Sequence, residues 1–396
     1  MIEVERSFNA TDVKQIEVNT GLGDISARAN GTGQILVRAR IRSNNEAELE
    51  TTLTDGVLKV SQRQNGGNGQ NGDWFQPSSS LDVVLIVPTG SNVAVTARTG
   101  KGDVSSVGVQ GLREVHTGKG DVSTSASASD LAIHTGMGDV SVRNGRGAVL
   151  VDTGKGDVSI SEVMGGLQVR TGSGDVSVHD WQAPAAPNGG GRHAIRTGAG
   201  DVSVSHSQAP FLEVHTGRGD CAFDKMTLAD LHVQSGSGDV ALNGDPVTGK
   251  WDVRTGKGDL ALRVPARAAR IEAFTRHGQV SSDLPQVKAA RPGPASRHGG
   301  RFISVSGDEP RADILLETGH GDISIRLAGA PLQAPATTEV IHAVAELVPA
   351  VPEIRTPTIV PQADPKATAL AVLESLSRGE LSVTEAEALL RSLEPA

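Results

Sequence analysis

Residues 99–121 read TGKGDVSSVGVQGLREVHTGKGD and contain the same five-residue signature twice, at residues 99–103 and 117–121. The signature is Thr or Ser, then Gly, any residue, Gly and Asp, and the 396-residue chain contains eleven copies of it. Five of the signature aspartates recur at intervals of 18 residues: Asp103, Asp121, Asp139, Asp157 and Asp175. A fixed period of this size is typical of proteins in which each repeat packs on the preceding one.

The residues around each signature alternate between apolar and polar. Side chains point to opposite faces along a strand, so Val115 and Val122 share one face while His116 and Ser123 share the other. The two glycines between these strands allow the positive φ angles that a tight corner requires. An open single layer of this many strands would leave the valine face in water, and open sheets rarely exceed about 10 strands. We therefore predict an all-β fold, a β-solenoid of two-strand coils of 18–20 residues, stacked about 4.8 Å apart.

The repeat becomes less regular toward the end of the chain. After Asp175 the aspartate spacing is 26, 19, 19 and 20 residues, and we assign the long interval to an eight-residue insertion within the Pro/Gly-rich residues 183–192. Residues 275–279 (TRHGQ) are a degenerate copy, and residues 318–322 (TGHGD) are the last intact one. The first signature, at residues 20–24, stands apart from the main array in sequence.

These changes in pattern predict four segments. Residues 1–95 form an N-terminal β region that caps the solenoid, because terminal repeats must cover an open end. Residues 96–328 form the TGxGD-repeat solenoid. Residues 329–365 are a Pro/Ala-rich linker in which residues 337–348 have the spacing of a short helix, and residues 366–396 form a small helical hairpin. The hairpin contains Leu370, Leu373 and Leu376 at helical spacing, and it is too small to bury a core alone.

Composition limits the classes of partner. The net charge is −9 and the pI is near 5.7, which disfavours a nucleic-acid partner. The chain contains no tyrosine, six phenylalanines and three tryptophans, so few aromatic side chains are present to stack on bases or sugars. We see neither a signal peptide nor a membrane span, so we predict a cytoplasmic protein, with the cell surface as the alternative. The one cysteine, Cys221, occupies a valine position and is expected to face the core. No cofactor is expected.

The aspartate column is the first candidate site. Carboxylates about 5 Å apart repel by roughly 0.8 kcal/mol per pair even in water, so something must offset the repulsion. Calcium is one option, as in nonapeptide β-rolls. However, the variable position of the signature is often basic, and we expect turn amides and resident cations to balance the charge. The basic residues at this position are Lys101, Lys119, Lys155, Arg218 and Lys257.

Histidines supply the second candidate site. His116, His134 and His215 each precede a signature threonine, and the first two are expected on adjacent coils, where a two-histidine metal site is conceivable. Solvated outward positions are the favoured interpretation. The threonines and serines of the repeats are interpreted as outward columns, a pattern that also occurs on ice-binding surfaces. One threonine per coil beside glycine forms a poor flat lattice for that purpose. A uniform column differs from the clustered carboxylates of polysaccharide-cleaving β-helices, so we predict no enzyme and assign no catalytic, cofactor-binding or metal residues.

The TGxGDVSV repeats, with Val87 and Pro88 ending the strand before the array, resemble the bacterial "putative adhesin" family of Gly-Asp β-strand repeats over residues 1–328. Residues 373–382 and 385–390 resemble the short bacterial SHOCT-like helical hairpin. The resemblance implies a β-solenoid with adhesion or envelope-stress roles and brings no catalytic residues.

The function predicted from the sequence is a non-enzymatic repeat scaffold or interaction protein. Its C-terminal hairpin would mediate self-association or docking of a protein partner. A cell-surface adhesin or ligand-binding rod is the alternative, and a calcium-binding β-roll is the second alternative.

Overall fold

A computed structural model describes residues 2–31, 33–42, 49–62, 80–184, 193–246, 249–265, 269–284, 301–305 and 312–327. The described residues belong to one compact unit, Met1–Ala330. The predicted linker and the predicted C-terminal hairpin lie outside the described residues. In the part of the chain that is described, no helix has the length and apolar character that crossing a membrane would need.

The described residues are almost entirely β-structure. Their one helical element is a 3-10 turn at Ala10–Asp12. The strands are β1 (Ile2–Asn9), β2 (Gln15–Leu22), β3 (Ile25–Asn30), β4 (Gln34–Arg42), β5 (Leu49–Thr54), β6 (Val57–Gln62), β7 (Ser80–Pro88), β8 (Ala94–Lys101), β9 (Val104–Val107), β10 (Leu112–Lys119), β11 (Val122–Ser125), β12 (Leu131–Met137), β13 (Val140–Arg143), β14 (Val149–Lys155), β15 (Val158–Ser161), β16 (Leu167–Ser173), β17 (Val176–His179), β18 (Ala194–Ala199), β19 (Val202–Ser205), β20 (Gln208–Arg218), β21 (Cys221–Ser235), β22 (Val240–Pro246), β23 (Gly249–Lys257), β24 (Leu260–Val264), β25 (Ala269–His277), β26 (Val280–Ser282), β27 (Arg301–Val305), β28 (Ala312–His320) and β29 (Ile323–Leu327).

Each regular coil contributes one strand to each of two parallel ladders. The strands before the signature pair in the order β8, β10, β12, β14, β16, β18 and β20. The strands after it pair as β9, β11, β13, β15, β17 and β19. The predicted all-β solenoid with two strands per coil is confirmed. The sequence did not indicate a third line of contact, where isolated parallel bridges join Arg146 to Met164, Met164 to Gln182 and Gln182 to Gln208.

The core lies between the two ladders. The valine rows predicted from the alternation are buried: Val115 and Ile133 are adjacent in register and fully buried, and Val122 is 1 % exposed. Cys221 is buried in the same row, as predicted, between Val202 and Val240. Its burial in apolar surroundings raises the pKa of its thiol to about 12. One apolar core therefore runs through the coils that the structure describes.

The insertion inferred from the 26-residue spacing leaves the stack in register. Thr171 on β16 lies opposite Thr197 on β18, and Val176 on β17 lies opposite Val202 on β19. The two coils therefore pack as if the insertion were absent. Residues 185–192 themselves lie outside the described residues.

The coils near the N-terminus do not stack in the order of the chain. Strand β2 lies between β6 and β8, and β3 lies between β7 and β9. The signature at residues 20–24, which is remote from the array in sequence, is therefore one of its members in space. Beyond this coil the strands become antiparallel: β4 pairs with β7, β1 with β4, and β5 with β6.

The C-terminal coils show the same rearrangement. Strand β28 inserts between β23 and β25, and β29 inserts between β24 and β26. The degenerate signature at residues 275–279 thus belongs to the last parallel coil, although an intact copy follows it in sequence. Strand β27 then pairs antiparallel with β25. Antiparallel strands thus cover the open edges of the solenoid at both ends. The outer strand β1 is charged, and its Glu3 and Glu5 form ion pairs with Arg40 and Arg38, respectively.

Candidate functional site

The signature aspartates form a continuous ladder of backbone-to-carboxylate hydrogen bonds. The backbone N–H of Asp139 donates to Oδ1 of Asp121, and that of Asp157 donates to Oδ1 of Asp139, both over 2.8 Å. Twelve such bonds, from 2.7 to 3.2 Å, run through Asp82, Asp24, Asp103, Asp121, Asp139, Asp157, Asp175, Asp201, Asp220, Asp239, Asp259, Asp322 and Gln279. A backbone amide of the neighbouring coil therefore bonds each carboxylate of the ladder, as expected of the turn amides.

Both glycines of the signature are required by the distance between coils. A Cβ atom on Gly138 would lie 2.1 Å from the carbonyl oxygen of Gly120, and the φ of Gly138 is +144°. A Cβ on Gly136 would lie 2.6 Å from the carbonyl oxygen of Gly118. Neighbouring backbones therefore approach more closely here than any side chain allows, and this approach brings each amide within reach of the next carboxylate.

The signature threonines are buried and not outward, so the interpretation of an outward threonine column is wrong. Thr117 is 5 % exposed because it lies on the same face of β10 as Val115. Its hydroxyl donates to the carbonyl oxygen of Gly102 on the preceding coil over 3.1 Å, and Thr318 donates to Gly258 over 2.9 Å. Serines do form an outward column, in which Ser105, Ser123 and Ser141 lie in register.

The variable position of the signature is exposed wherever it is basic. Lys101 lies opposite Lys119, and the basic residues singled out from the sequence all lie on this exposed corner, two residues from the aspartate ladder. They place positive charge along the same corner as the row of carboxylates.

The histidines predicted to be adjacent are adjacent. The rings of His116 and His134 stack with centroids 4.8 Å apart and planes at 20°. Nε2 of His116 lies 2.6 Å from Oε1 of Glu114, and this hydrogen bond lowers the pKa of Glu114. The third histidine, His215, bonds Glu213 in the same way and lowers its pKa. The rings of His116 and His215 are thus each engaged by a carboxylate on their own strand.

A different histidine cluster was missed from the sequence. His179, Asp180 and His206 are exposed, and their ligand atoms all lie within 4.8 Å of one another. In the part of the chain that the structure describes, this is the one group of three or more such residues with metal-binding spacing. The 26-residue interval hid the adjacency of the two coils. Aligning the coils after removal of the insertion would have placed Asp180 and His206 at equivalent positions.

Three solved structures share low sequence identity with the chain. A "putative cell adhesion protein" from Clostridium sporogenes ATCC 15579 is 11% identical, with 83% of this chain and 99% of that chain covered and a TM-score of 0.19. A "putative adhesin" from Bacteroides fragilis NCTC 9343 is 13% identical, with 82% and 97% covered and a TM-score of 0.22. A "putative adhesin" from Parabacteroides merdae ATCC 43184 is 10% identical, with 82% and 96% covered and a TM-score of 0.22.

No curated protein matches the chain in sequence. A family model, by contrast, covers nearly all of the solenoid. The Toastrack DUF4097 model matches residues 13–186 and 190–326, and the gap between the two matches falls within the insertion. The matched residues include the ladder from Asp24 to Asp322. The chain therefore belongs to the Toastrack DUF4097 family.

Proposed function

We propose that the protein is a non-enzymatic repeat scaffold that holds outward polar columns at a fixed spacing for a protein partner. The observation that carries this proposal is the use of the signature side chains inside the stack. The aspartates accept amides of the next coil, and all but one of the buried signature hydroxyls in the described coils donate to glycine carbonyls. The motif that dominates the sequence thus supports the stacking of coils.

Outward positions differ from coil to coil, in contrast to the signature. The residue before the signature threonine is Arg98, His116, His134, Asp152 or Arg170 on successive coils of the same ladder. A rigid stack with varied charges at a regular spacing of about 4.8 Å is suited to recognising an extended surface. We assign partner recognition to this outward surface.

We further propose that residues 366–396 form the helical hairpin predicted from the sequence and that it mediates self-association or partner docking. Light scattering on the full chain and on a chain ending at Ala363 tests this. We expect a smaller oligomer for the shortened chain. Leu373→Glu and Leu390→Glu in the full chain should reproduce the loss, while Glu374→Gln should not. Identical masses for all of these chains, together with identical cross-linked partners, would overturn the role of the hairpin.

A cell-surface adhesin or ligand-binding protein is the alternative, because the same outward surface would serve an extracellular ligand equally well. Fractionation of the native host distinguishes the two. Recovery in the cytoplasmic fraction supports the scaffold, and recovery at the cell surface supports the adhesin.

A further inference from the structure

We infer that His179, Asp180 and His206 form a binding site for a divalent transition metal, with zinc as the best match. The two histidines lie on coils that are adjacent in space and separated by the insertion in sequence. His179 is the last residue of β17 and lies opposite Ser205 on β19, which directly precedes His206. The site would therefore join the coil before the insertion to the coil after it.

The corner conformation brings the ligands together. Asp180 and His206 occupy equivalent corners of neighbouring coils, with φ angles of 51° and 50°. The backbone N–H of Asp180 donates to the carbonyl oxygen of Ser205, so the two corners are bonded directly to each other. Their exposed side chains therefore lie next to each other on the surface, separated by the coil spacing of about 4.8 Å.

The side-chain geometry favours convergence on one ion. Nε2 of His179 lies 3.1 Å from Oδ2 of Asp180, and the rings of His179 and His206 meet edge to face at 74° with centroids 5.0 Å apart. The other nitrogen of His179, Nδ1, lies 2.8 Å from Oγ of Ser205, which orients the ring as the outer partners of metal-bound histidines do. In contrast, the stacked rings of His116 and His134 lie within 20° of parallel and do not converge.

The donor set selects the class of metal. Two imidazole nitrogens and one carboxylate oxygen suit zinc and its neighbours better than calcium or magnesium, which prefer oxygen ligands. Donors on one tetrahedral zinc ion lie about 3.3 Å apart. The present spacing of up to 4.8 Å closes to this value by side-chain rotation, which the exposure of all three residues permits. Such a site retains an open position for water or a partner's ligand.

Lys225 supplies an internal competitor. It occupies the same corner on the next coil, with a φ of 51°, and its Nζ lies 3.1 Å from Nε2 of His206. The ammonium group competes with a metal for this nitrogen and repels a divalent ion. Its removal is therefore expected to tighten metal binding, a gain that a merely structural role of the cluster does not predict.

The test is a titration of the full chain with zinc, in which isothermal calorimetry measures the affinity and the number of sites. Replacement of zinc by cobalt then gives an absorption spectrum that reports the coordination of the metal. We expect one site per chain. His179→Ala, His206→Ala and Asp180→Asn should each weaken binding more than about tenfold. Asparagine tolerates the left-handed corner of Asp180, so this variant changes the ligand and spares the backbone. Lys225→Gln should tighten binding about three- to tenfold.

The control is the double variant His116→Ala and His134→Ala, which removes a histidine pair on two other adjacent coils and should leave the affinity unchanged. Circular dichroism establishes that each variant is folded. No saturable binding by the full chain, or equal weakening in the control and in Asp180→Asn, would overturn the site. Lys225→Gln retains the three ligands, so an unchanged or weaker affinity in that variant would also count against it.

Discussion

The backbone N–H of Gln279 donates to Oδ1 of Asp322 over 2.8 Å, although Asp322 follows Gln279 by 43 residues. Gln279 therefore donates the last amide of the ladder. Among the described residues, no further coil donates an amide to its side chain. This explains why Gln replaces Asp at this copy of the signature. The carboxylate is needed only where another coil follows, and the coil of β25 and β26 is the last parallel one.

Substitution of a central ladder aspartate should destabilise the stack. Asp157→Ala removes the acceptor for the N–H of Asp175 and is expected to lower the free energy of unfolding by about 1 kcal/mol. Asp157→Asn keeps an acceptor and removes one charge from a repelling row, so it should be neutral or stabilising. Gln279→Ala, at the end of the ladder, is the control and should change the melting temperature little. Equal losses for Asp157→Ala and Gln279→Ala would contradict the ladder as a source of stability.

The second signature glycine should tolerate no side chain. Gly156→Ala places a Cβ 2.0 Å from the carbonyl oxygen of Gly138 at a φ of +145°, and should cost about 3 kcal/mol or more or prevent folding. Gly33→Ala is the control, because no atom lies within 4 Å of the added Cβ. Thermal unfolding followed by circular dichroism measures both. A wild-type melting temperature for Gly156→Ala would show that the coils can separate without cost.

The buried threonines offer a matched pair. The hydroxyl of Thr318 donates to Gly258, so Thr318→Val should cost about 1 kcal/mol. The hydroxyl of Thr153 is buried without a hydrogen-bond partner, so Thr153→Val should be neutral or stabilising. Chemical unfolding of the two variants gives the comparison. A larger loss for Thr153→Val than for Thr318→Val would contradict the hydrogen-bond assignment.

His193 should make stability depend on pH. It is 3 % exposed beside Trp181, its Nδ1 accepts the N–H of Leu167, and burial lowers its pKa. Below about pH 6.5 the unfolded chain binds a proton that the folded chain does not, so this contribution to stability falls as the pH falls. His193→Asn retains an acceptor and removes the titration. The melting temperature of the wild type should therefore drop more than that of the variant between about pH 8 and about pH 5. Parallel curves would refute the assignment.

Calcium should not be required for the solenoid. One oxygen of each ladder carboxylate already accepts an amide, so adding about 10 mM calcium, enough to fill weak sites, should leave the melting temperature of metal-free protein nearly unchanged. A large rise would support the calcium-binding β-roll that was the second alternative from the sequence.

The local features of the fold were predictable because they depend on neighbours in the chain. The alternation of Val115 and His116 indicated which face is buried, and the glycine pair indicated the corner. The inward position of Thr117 follows from the same alternation, yet the chemistry of threonine suggested an outward lattice. Its hydroxyl is satisfied by a carbonyl of another coil, which no local pattern reveals.

The candidate metal site was not predictable in the same way. His179 and His206 are separated by 26 residues, and the insertion breaks the period that made His116 and His134 recognisable as neighbours. Their approach depends on how the chain returns to register after the insertion, which is set by burial of the rows around Val176 and Val202.

The sequence by itself determined the unit of this protein: an 18-residue coil with an apolar row, a glycine corner and an aspartate. Only the tertiary structure decided the order in which the coils stack. Coils with nearly the same signature present nearly the same edge to their neighbours. The chain can therefore place residues 15–30 between β6–β7 and β8–β9 with no loss of ladder bonds. It can likewise place β28–β29 before β25–β26 at the other end. The choice among these equivalent edges depends on the antiparallel strands that close each end, and their pairing is non-local.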